Sequence, residues 1–340
     1  MIIRSRAPLR IGLAGGGTDV SPYSDLYGGA ILNATINSFA TASIIPRDDN
    51  KIILFARDGN IKIELDSATE LEINGEFNLL KGVYNRIVKD FVKKPLSFEL
   101  HTHVDAPPGS GLGSSSTLVV AIVGAFAEWL QLPLGEYDIA HLAFEIERID
   151  LNMAGGKQDQ YAATFGGFNF MEFYAGDKVI VNPLRIKERF RYELETNLVL
   201  FHTSTSRNSS TIIEQQTKNI SSKQEKSLEA THQLKQQAVR MKEALLTGEI
   251  HKIGNILDQS WKFKKQMADG ITNPMIDGIY EEMISAGATG GKISGAGGGG
   301  FMMFYCPNNA HFNVKKILAK HEGSIKEFLF TEVGLQTWKI

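Results

Sequence analysis

Apolar and polar residues alternate along MIIRSRAPLRIGLAGGG until a glycine turn breaks the pattern, which is the period of a strand. The stretch AILNATINSFATASIIP, rich in Ile, Thr and Ala and closed by Pro46, continues in the same style. In KIILFARDGNIKIEL, Asp58, Gly59 and Asn60 separate two apolar runs and predict a hairpin. A helix is expected around LLKGVYNRIVKDF, followed by a strand over LSFELHTHV with Leu96, Phe98 and Leu100 on one face. LVVAIVGAFAEWL reads as a buried helix. EYDIAHLAFEIERIDL reads as an amphipathic one, with Ile139, Leu142, Ala143, Ile146 and Ile149 at helical spacing. GGKQDQYAATFGGFNFMEF follows as a loop or short helix that enters a strand.

Beyond about Pro183 the pattern changes. NLVLFHTSTSRNSS reads as one strand and a polar loop, and a long polar helix-forming region then runs to about Gln266. Leu228, Leu234, Ala238, Met241 and Leu245 give that region a core-facing stripe. GIYEEMISAGATGGKISGAGGGGFMMFYC closes the series as helix, glycine loop and strand. This order of elements predicts an α+β protein with a boundary near residue 185.

Composition narrows the function classes. A chain of 340 residues is long for one core. Its net charge of −2, with acids and bases interspersed, offers no basic footprint for nucleic acid or an anionic membrane. The apolar run Leu118 to Ala127 is shorter than the ~18 residues of a membrane span. Cys306 is the single cysteine, and two arginines and a proline interrupt the N-terminal MIIRSRAPLR where a signal peptide needs an apolar run, so a cytoplasmic location is expected.

The chemistry is concentrated in glycine-rich loops. PPGSGLGSSST places Gly109, Gly111 and Gly113 and the hydroxyls of Ser110, Ser114, Ser115 and Ser116 directly before the buried helix. The first amides of a helix lack intrahelical partners and sit at the positive end of its dipole, so such a loop makes an anion site suited to phosphate. A plainer reading makes Ser114 an N-cap and the glycines a turn. No Walker-type loop is present, because Gly291-Lys292 precedes Ile293 and Gly156-Lys157 precedes Gln158. Gly295, Gly297 and Gly300 match a dinucleotide spacing, but a strand rather than a helix follows them.

Together, PLRIGLAGGGTD, PPGSGLGSSS and KISGAGGGGF resemble, in order and spacing, the three motifs of the GHMP family of small-molecule kinases, with Ser116 replacing an alanine of the second box. The resemblance implies ATP and Mg²⁺. Pro107, Gly109, Ser110, Gly111, Leu112, Gly113, Ser114, Ser115 and Ser116 would hold the ATP phosphates, with Ser294, Gly295, Gly297 and Gly298 of the third motif close by. Ser115 and Glu147 would be the magnesium ligands. A helical wheel sets Glu147 and Glu145 at opposite edges of the apolar stripe and does not choose between them. Asp159, in GGKQDQ, matches the family aspartate that positions and deprotonates the acceptor hydroxyl, and Arg10 matches the arginine paired with it. Lys157 would be a second cation, and Asp19, with Gly16, Gly17 and Thr18, would grip sugar hydroxyls.

Within the family, PLRIGLAGGGTDVSPYSDLYGGAILN, GGKQDQYAATFGGFNF and TSTSRNSS resemble the bacterial kinases that phosphorylate the anomeric hydroxyl of D-glycero-D-manno-heptose 7-phosphate on the way to surface glycans. That substrate carries its own phosphate, for which Arg207, with Ser206, Ser209 and Ser210, is the candidate. L-fucokinase or another sugar 1-kinase is the second expectation, and a catalytically silent sugar- and nucleotide-binding sensor the third. The implied fold is two-domain, with a unit like ribosomal protein S5 domain 2 over 1–185 and a ferredoxin-like unit over 186–340. The expected partners are ATP and a sugar phosphate, with no nucleic acid and no membrane.

Overall fold

The computed structural model describes all residues except 177 and 206–208, together with all side chains but those and that of 209. Arg207 and Ser206 therefore lie outside the described residues, as does the side chain of Ser209. The chain runs β1 (Ile3–Ala14), α1 (Tyr23–Tyr27), β2 (Gly29–Pro46), β3 (Lys51–Ala56), β4 (Ile61–Asp66), α2 (Asn78–Ile87), β5 (Phe98–Val104), α3 (Ser114–Leu130), α4 (Glu136–Glu145), α5 (Gln158–Phe165), β6 (Phe168–Phe173) and β7 (Val179–Pro183). It continues through α6 (Glu188–Asn197), β8 (Leu198–His202), α7 (Ser209–Ser221), α8 (Glu225–Thr247), α9 (Ile253–Lys264), α10 (Pro274–Ser285), β9 (Gly290–Ile293), β10 (Phe301–Tyr305), α11 (Ala310–Leu318), β11 (Ser324–Lys326) and β12 (Gln336–Lys339).

Two sheets result. The first has the order β12-β1-β2-β5-β3-β4, with β6 and β7 joined to the far part of the long β2. The second has the order β11-β8-β10-β9, and its βαββαβ connectivity is the ferredoxin-like pattern. The last strand does not stay with the second unit expected over 186–340: β12 pairs antiparallel with β1, from Ile3 opposite Lys339 to Arg6 opposite Gln336. Strand β1 offered an open edge there, and pairing it covers backbone groups that would otherwise be exposed.

A break in register on β1 positions the site. Up to Pro8 the strand pairs in one register with β2 and from Arg10 to Gly12 in another, with residues 36–38 bulging opposite Leu9, and a further shift precedes Ala14. Across the bulge opposite Leu9 the odd-numbered residues of the strand change the core they join, although the pairing offset moves by two residues and so keeps its parity. Before it, Ile3 and Ala7 pack in the core beneath α3, and the Ser5 hydroxyl donates to the Ala121 carbonyl of that helix. After it, Leu9, Ile11 and Leu13 pack with Leu200, Met241, Leu257 and Met303 of the second half, joining the two units in one core. Arg10 and Gly12 are thereby turned toward α5. None of the helices among the described residues is long and apolar enough to cross a membrane.

A second irregularity ends α4. Over Ile146–Asp150 the helix widens by one residue per turn, with the Leu151 amide donating to the Ile146 carbonyl. The inserted residue shifts the helical phase. Ile149, expected on the buried stripe, is 59% exposed, whereas Glu147 is fully buried.

Candidate active site

A cleft of about 710 Å³ opens where the end of β1, the loop before α3, the start of α5 and parts of α7, α9, β9 and the third glycine loop meet. Helix α3 starts at Ser114, with Gly113 in the left-handed region (φ 76°) at the N-cap and no side chain capping the first turn. Ser114 is therefore not the cap. Ser114, Ser115 and Ser116 instead line the cleft, together with Gly109, Gly111 and Gly113.

The second and third glycine motifs are built against each other. The Ser294 hydroxyl donates to the Gly111 carbonyl at 2.8 Å, and the Phe301 amide to the Ser110 carbonyl at 2.9 Å. A Cβ on Gly111 would fall 2.2 Å from the Ser294 carbonyl oxygen, at a residue that also has φ 80°, so only glycine allows this approach. Leu112 and Ser110 point into the interior, where Leu112 joins the shared core. Pro107 is exposed outside the cleft, and Gly297 and Gly298 pack against Ile271. Of the third motif, Gly295 reaches the cleft and Ser294 acts as the tie.

Arg10 and Asp159 meet at the cleft wall. Arg10 Nε and Nη2 both approach Asp159 Oδ1, at 2.7 and 2.6 Å, and Arg10 Nη1 donates to the Gly111 carbonyl at 2.6 Å. One guanidinium thus fixes the carboxylate and the glycine loop before α3 at once, leaving Asp159 Oδ2 toward Gly113. Asp19 accepts the Gln158 amide at 3.1 Å and the Gly17 amide at 3.3 Å. Burial, helped by the nearby charge of Asp159, raises its pKa above the ordinary 3.8.

Of the two glutamates, the widened turn brings Glu147 to the cleft wall. Glu147 accepts the Ser115 hydroxyl at 3.1 Å and the Gln160 amide at 2.5 Å, while Glu145 pairs with Arg86 on the outside. Ser116, the departure from the family box, receives Gln160 Nε2 at 3.2 Å and Arg148 Nη2 at 3.3 Å, so its hydroxyl anchors two side chains that flank Glu147. A carboxylate and a hydroxyl at the cleft wall are hard oxygen donors of the kind that hold Mg²⁺ alongside water and phosphate oxygens.

Two expected substrate residues face elsewhere. Thr18 is buried, its hydroxyl lodged between the carbonyls of Gly15 and Ala30 at 2.8 and 2.9 Å and accepting the Ala30 amide. Lys157 lies outside the cleft wall, 3.8 Å from Asp25 and over the Phe144 ring, because the start of α5 turns Asp159 inward in its place. Among the described residues, the cations that line the cleft beside Arg10 and Arg148 are Lys264 at the end of α9 and Lys292 on β9. Lys264 Nζ donates to the Gly16 carbonyl at 3.2 Å and Lys292 Nζ to the Gly12 carbonyl at 2.6 Å.

Burial, with Lys264 and Arg10 nearby, lowers the Lys292 pKa from 10.5 to about 7, and burial lowers that of Lys264 to about 8 against the opposing pull of Asp19. Across pH ~7 to 10.5 the unfolded chain then binds more protons than the folded one, so stability rises with pH in that window, and the cost of two buried ammonium groups is fully present below it. The melting temperature of the ligand-free protein is expected to rise from pH 7 to 9, below the range in which Cys306 and the buried tyrosines oppose it. Scanning calorimetry checks this, and Lys292→Met should flatten the rise.

Comparison with known proteins identifies the family. The domain family described as GHMP kinases N terminal domain matches residues 78–167, and GHMP kinases C terminal matches 241–321. The chain is 51% identical over 99% of both lengths to the D-glycero-alpha-D-manno-heptose 7-phosphate kinase of Campylobacter jejuni. Among solved structures, a D-glycero-D-manno-heptose 1-phosphate kinase from Bacteroides thetaiotaomicron aligns with TM-score 0.84 and 45% identity over 99% of each chain. Galactokinase from Lactococcus lactis, at 19% identity and TM-score 0.78 over 98% of this chain and 95% of its own, shares the fold. From its glycine motifs to its two-unit architecture, the chain belongs to the GHMP kinases.

Proposed function

We propose that this protein is an ATP- and Mg²⁺-dependent kinase that phosphorylates the anomeric hydroxyl of D-glycero-D-manno-heptose 7-phosphate, yielding the 1,7-bisphosphate. The observation that carries it is the Arg10–Asp159 pair held against the glycine loop at the head of α3. High identity to heptose phosphate kinases supports the substrate class. The units divide near residue 185, with residues 1–185 and the returning β12 on one side of the cleft and the rest of 186–340 on the other. The reaction belongs in the cytoplasm, with ATP and the sugar phosphate as the partners.

In this mechanism the loop Gly109–Ser116 and the first turn of α3 hold the ATP phosphates. Ser115 and Glu147 would hold magnesium, which would supply positive charge to offset the negative charge of the ATP phosphates. Asp159 takes the proton of the C1 hydroxyl on Oδ2. The freed oxygen forms its bond to the γ-phosphorus, the bond from that phosphorus to the β–γ bridging oxygen breaks, and ADP leaves. Arg10 keeps Asp159 in place and screens the charge that develops beside it. Asp19, anchored by two amides, orients the sugar hydroxyls.

The test is ADP release with MgATP across D-glycero-D-manno-heptose 7-phosphate, the corresponding 1-phosphate, L-fucose, D-galactose, D-mannose and mevalonate. The expected result is a strong preference for the 7-phosphate. Turnover of L-fucose or another unphosphorylated sugar alone would move the assignment to a different sugar 1-kinase. ATP binding with no turnover of any acceptor would favour a sensor.

A further inference from the structure

Lys264 and Lys292 are 5% and 6% exposed, and neither has a carboxylate within salt-bridge distance among the described residues. Each ammonium carries three donors and spends one on a backbone carbonyl, the others lying at the cleft wall. Gln216 of α7, 4% exposed and also on the cleft wall, has a side-chain amide nitrogen with no hydrogen-bond partner among the described residues. Gly17 brings them together: a Cβ built on it would lie 3.2 Å from Lys264 Nζ and 3.5 Å from Gln216 Oε1.

A buried amide without an acceptor is costly, as are buried lysines with no carboxylate in salt-bridge distance, and a wall that holds Gln216 and two such lysines suits an anion. A phosphate dianion bound there would favour the charged form of both lysines, and their two charges would match its own. The phosphates of ATP have their own seat at the head of α3. Lys264 instead stands beside Asp19, Gly16 and Gly17, at the end of β1 where the sugar is held. We propose that Lys264 and Gln216, with Lys292 beside them, seat the phosphate that the acceptor sugar already carries. The site selects a phosphorylated sugar over a free one. This rests on the heptose 7-phosphate reading above, and it does not call on Arg207.

The experiment is steady-state kinetics of wild type, Lys264→Met, Gln216→Leu and Lys264→Arg with D-glycero-D-manno-heptose 7-phosphate and with the unphosphorylated heptose, each with the KM for ATP. Wild type is expected to prefer the phosphorylated sugar and to be inhibited competitively by inorganic phosphate. In Lys264→Met the KM for the 7-phosphate should rise roughly 10- to 100-fold, the loss of one charge-assisted hydrogen bond. The preference should fall by the same factor, with the ATP KM unchanged and phosphate inhibition lost. Gln216→Leu should do the same more weakly, and Lys264→Arg should restore most of the preference. The Met variant removes a buried charge at nearly constant volume, so its melting temperature should equal or exceed that of wild type, which separates the effect from misfolding. An equal loss toward both sugars, or a fall in kcat alone, would overturn the assignment by placing the lysine in hydroxyl binding or in the transfer step. Wild type that turns over only the free sugar would fail the heptose 7-phosphate reading itself, visible before any variant is made.

Discussion

Asp159→Asn is expected to lower kcat by ~10²-fold or more, the scale of removing a general base, while ATP still binds. Asparagine keeps the shape and one acceptor for Arg10, whose Nε and Nη2 both approach a single carboxylate oxygen, so the tie from Arg10 to the Gly111 carbonyl survives. What is lost is an oxygen that can take the C1 proton. The variant should show an unchanged circular dichroism spectrum and an ATP dissociation constant within a few-fold of wild type, with the loss confined to turnover. Near-normal turnover would remove Asp159 from the proton transfer. A second consequence reaches Asp19, whose raised pKa owes its next-largest contribution after burial to the charge of Asp159. With that charge gone, the acidic limb of the residual pH profile should move to lower pH.

The parts of this site that the sequence makes legible are those whose chemistry is local. Positive-φ glycines and helix-starting serines occupy adjacent positions, so the loop before α3 can be recognised without knowing the fold. Arg10 and Asp159 lie 149 residues apart and were joined only through the family pattern. The lysines were hidden because burial of a charge depends on what packs over it. Lys264 does continue a helical stripe from Leu257 and Trp261, a signal that it faces inward, but WKFKKQM reads as a solvated basic run. Lys292 sits in GGKI, whose glycines let α9 press against the strand: a Cβ on Gly290 would fall 1.8 Å from the Gly254 carbonyl oxygen. The return of β12 to β1 and the change of core at Pro8–Arg10 arise from pairings with distant segments, and neither leaves a mark in local periodicity. The same holds for the widened turn after α4. A wheel drawn at 3.6 residues per turn buries Ile149 and leaves Glu145 and Glu147 equivalent, and only the extra residue breaks the tie.

That tie-break is open to experiment. Glu147→Gln is expected to raise the Mg²⁺ concentration for half-maximal rate at least ~10-fold and to lower kcat by ~10²-fold, the range seen when a charge-stabilising group is removed from a preorganised site. Glutamine can still accept the Ser115 hydroxyl, but its amide would face the Gln160 amide that now donates at 2.5 Å, so the carboxylate cannot be imitated by shape alone. Glu145→Gln is the matched control. Glu145 lies two residues away and pairs with Arg86 and His141 on the outer surface, so its loss should leave the metal dependence unchanged. The two variants carry the same change of charge on neighbouring positions of one helix. A metal titration that shifts for position 147 and not for 145 therefore reports the side chain turned inward by the widened turn, because a general effect of net charge would move both. If both titrations match wild type, Glu147 holds Ser115 and Gln160 for structural reasons and the metal must be bound elsewhere.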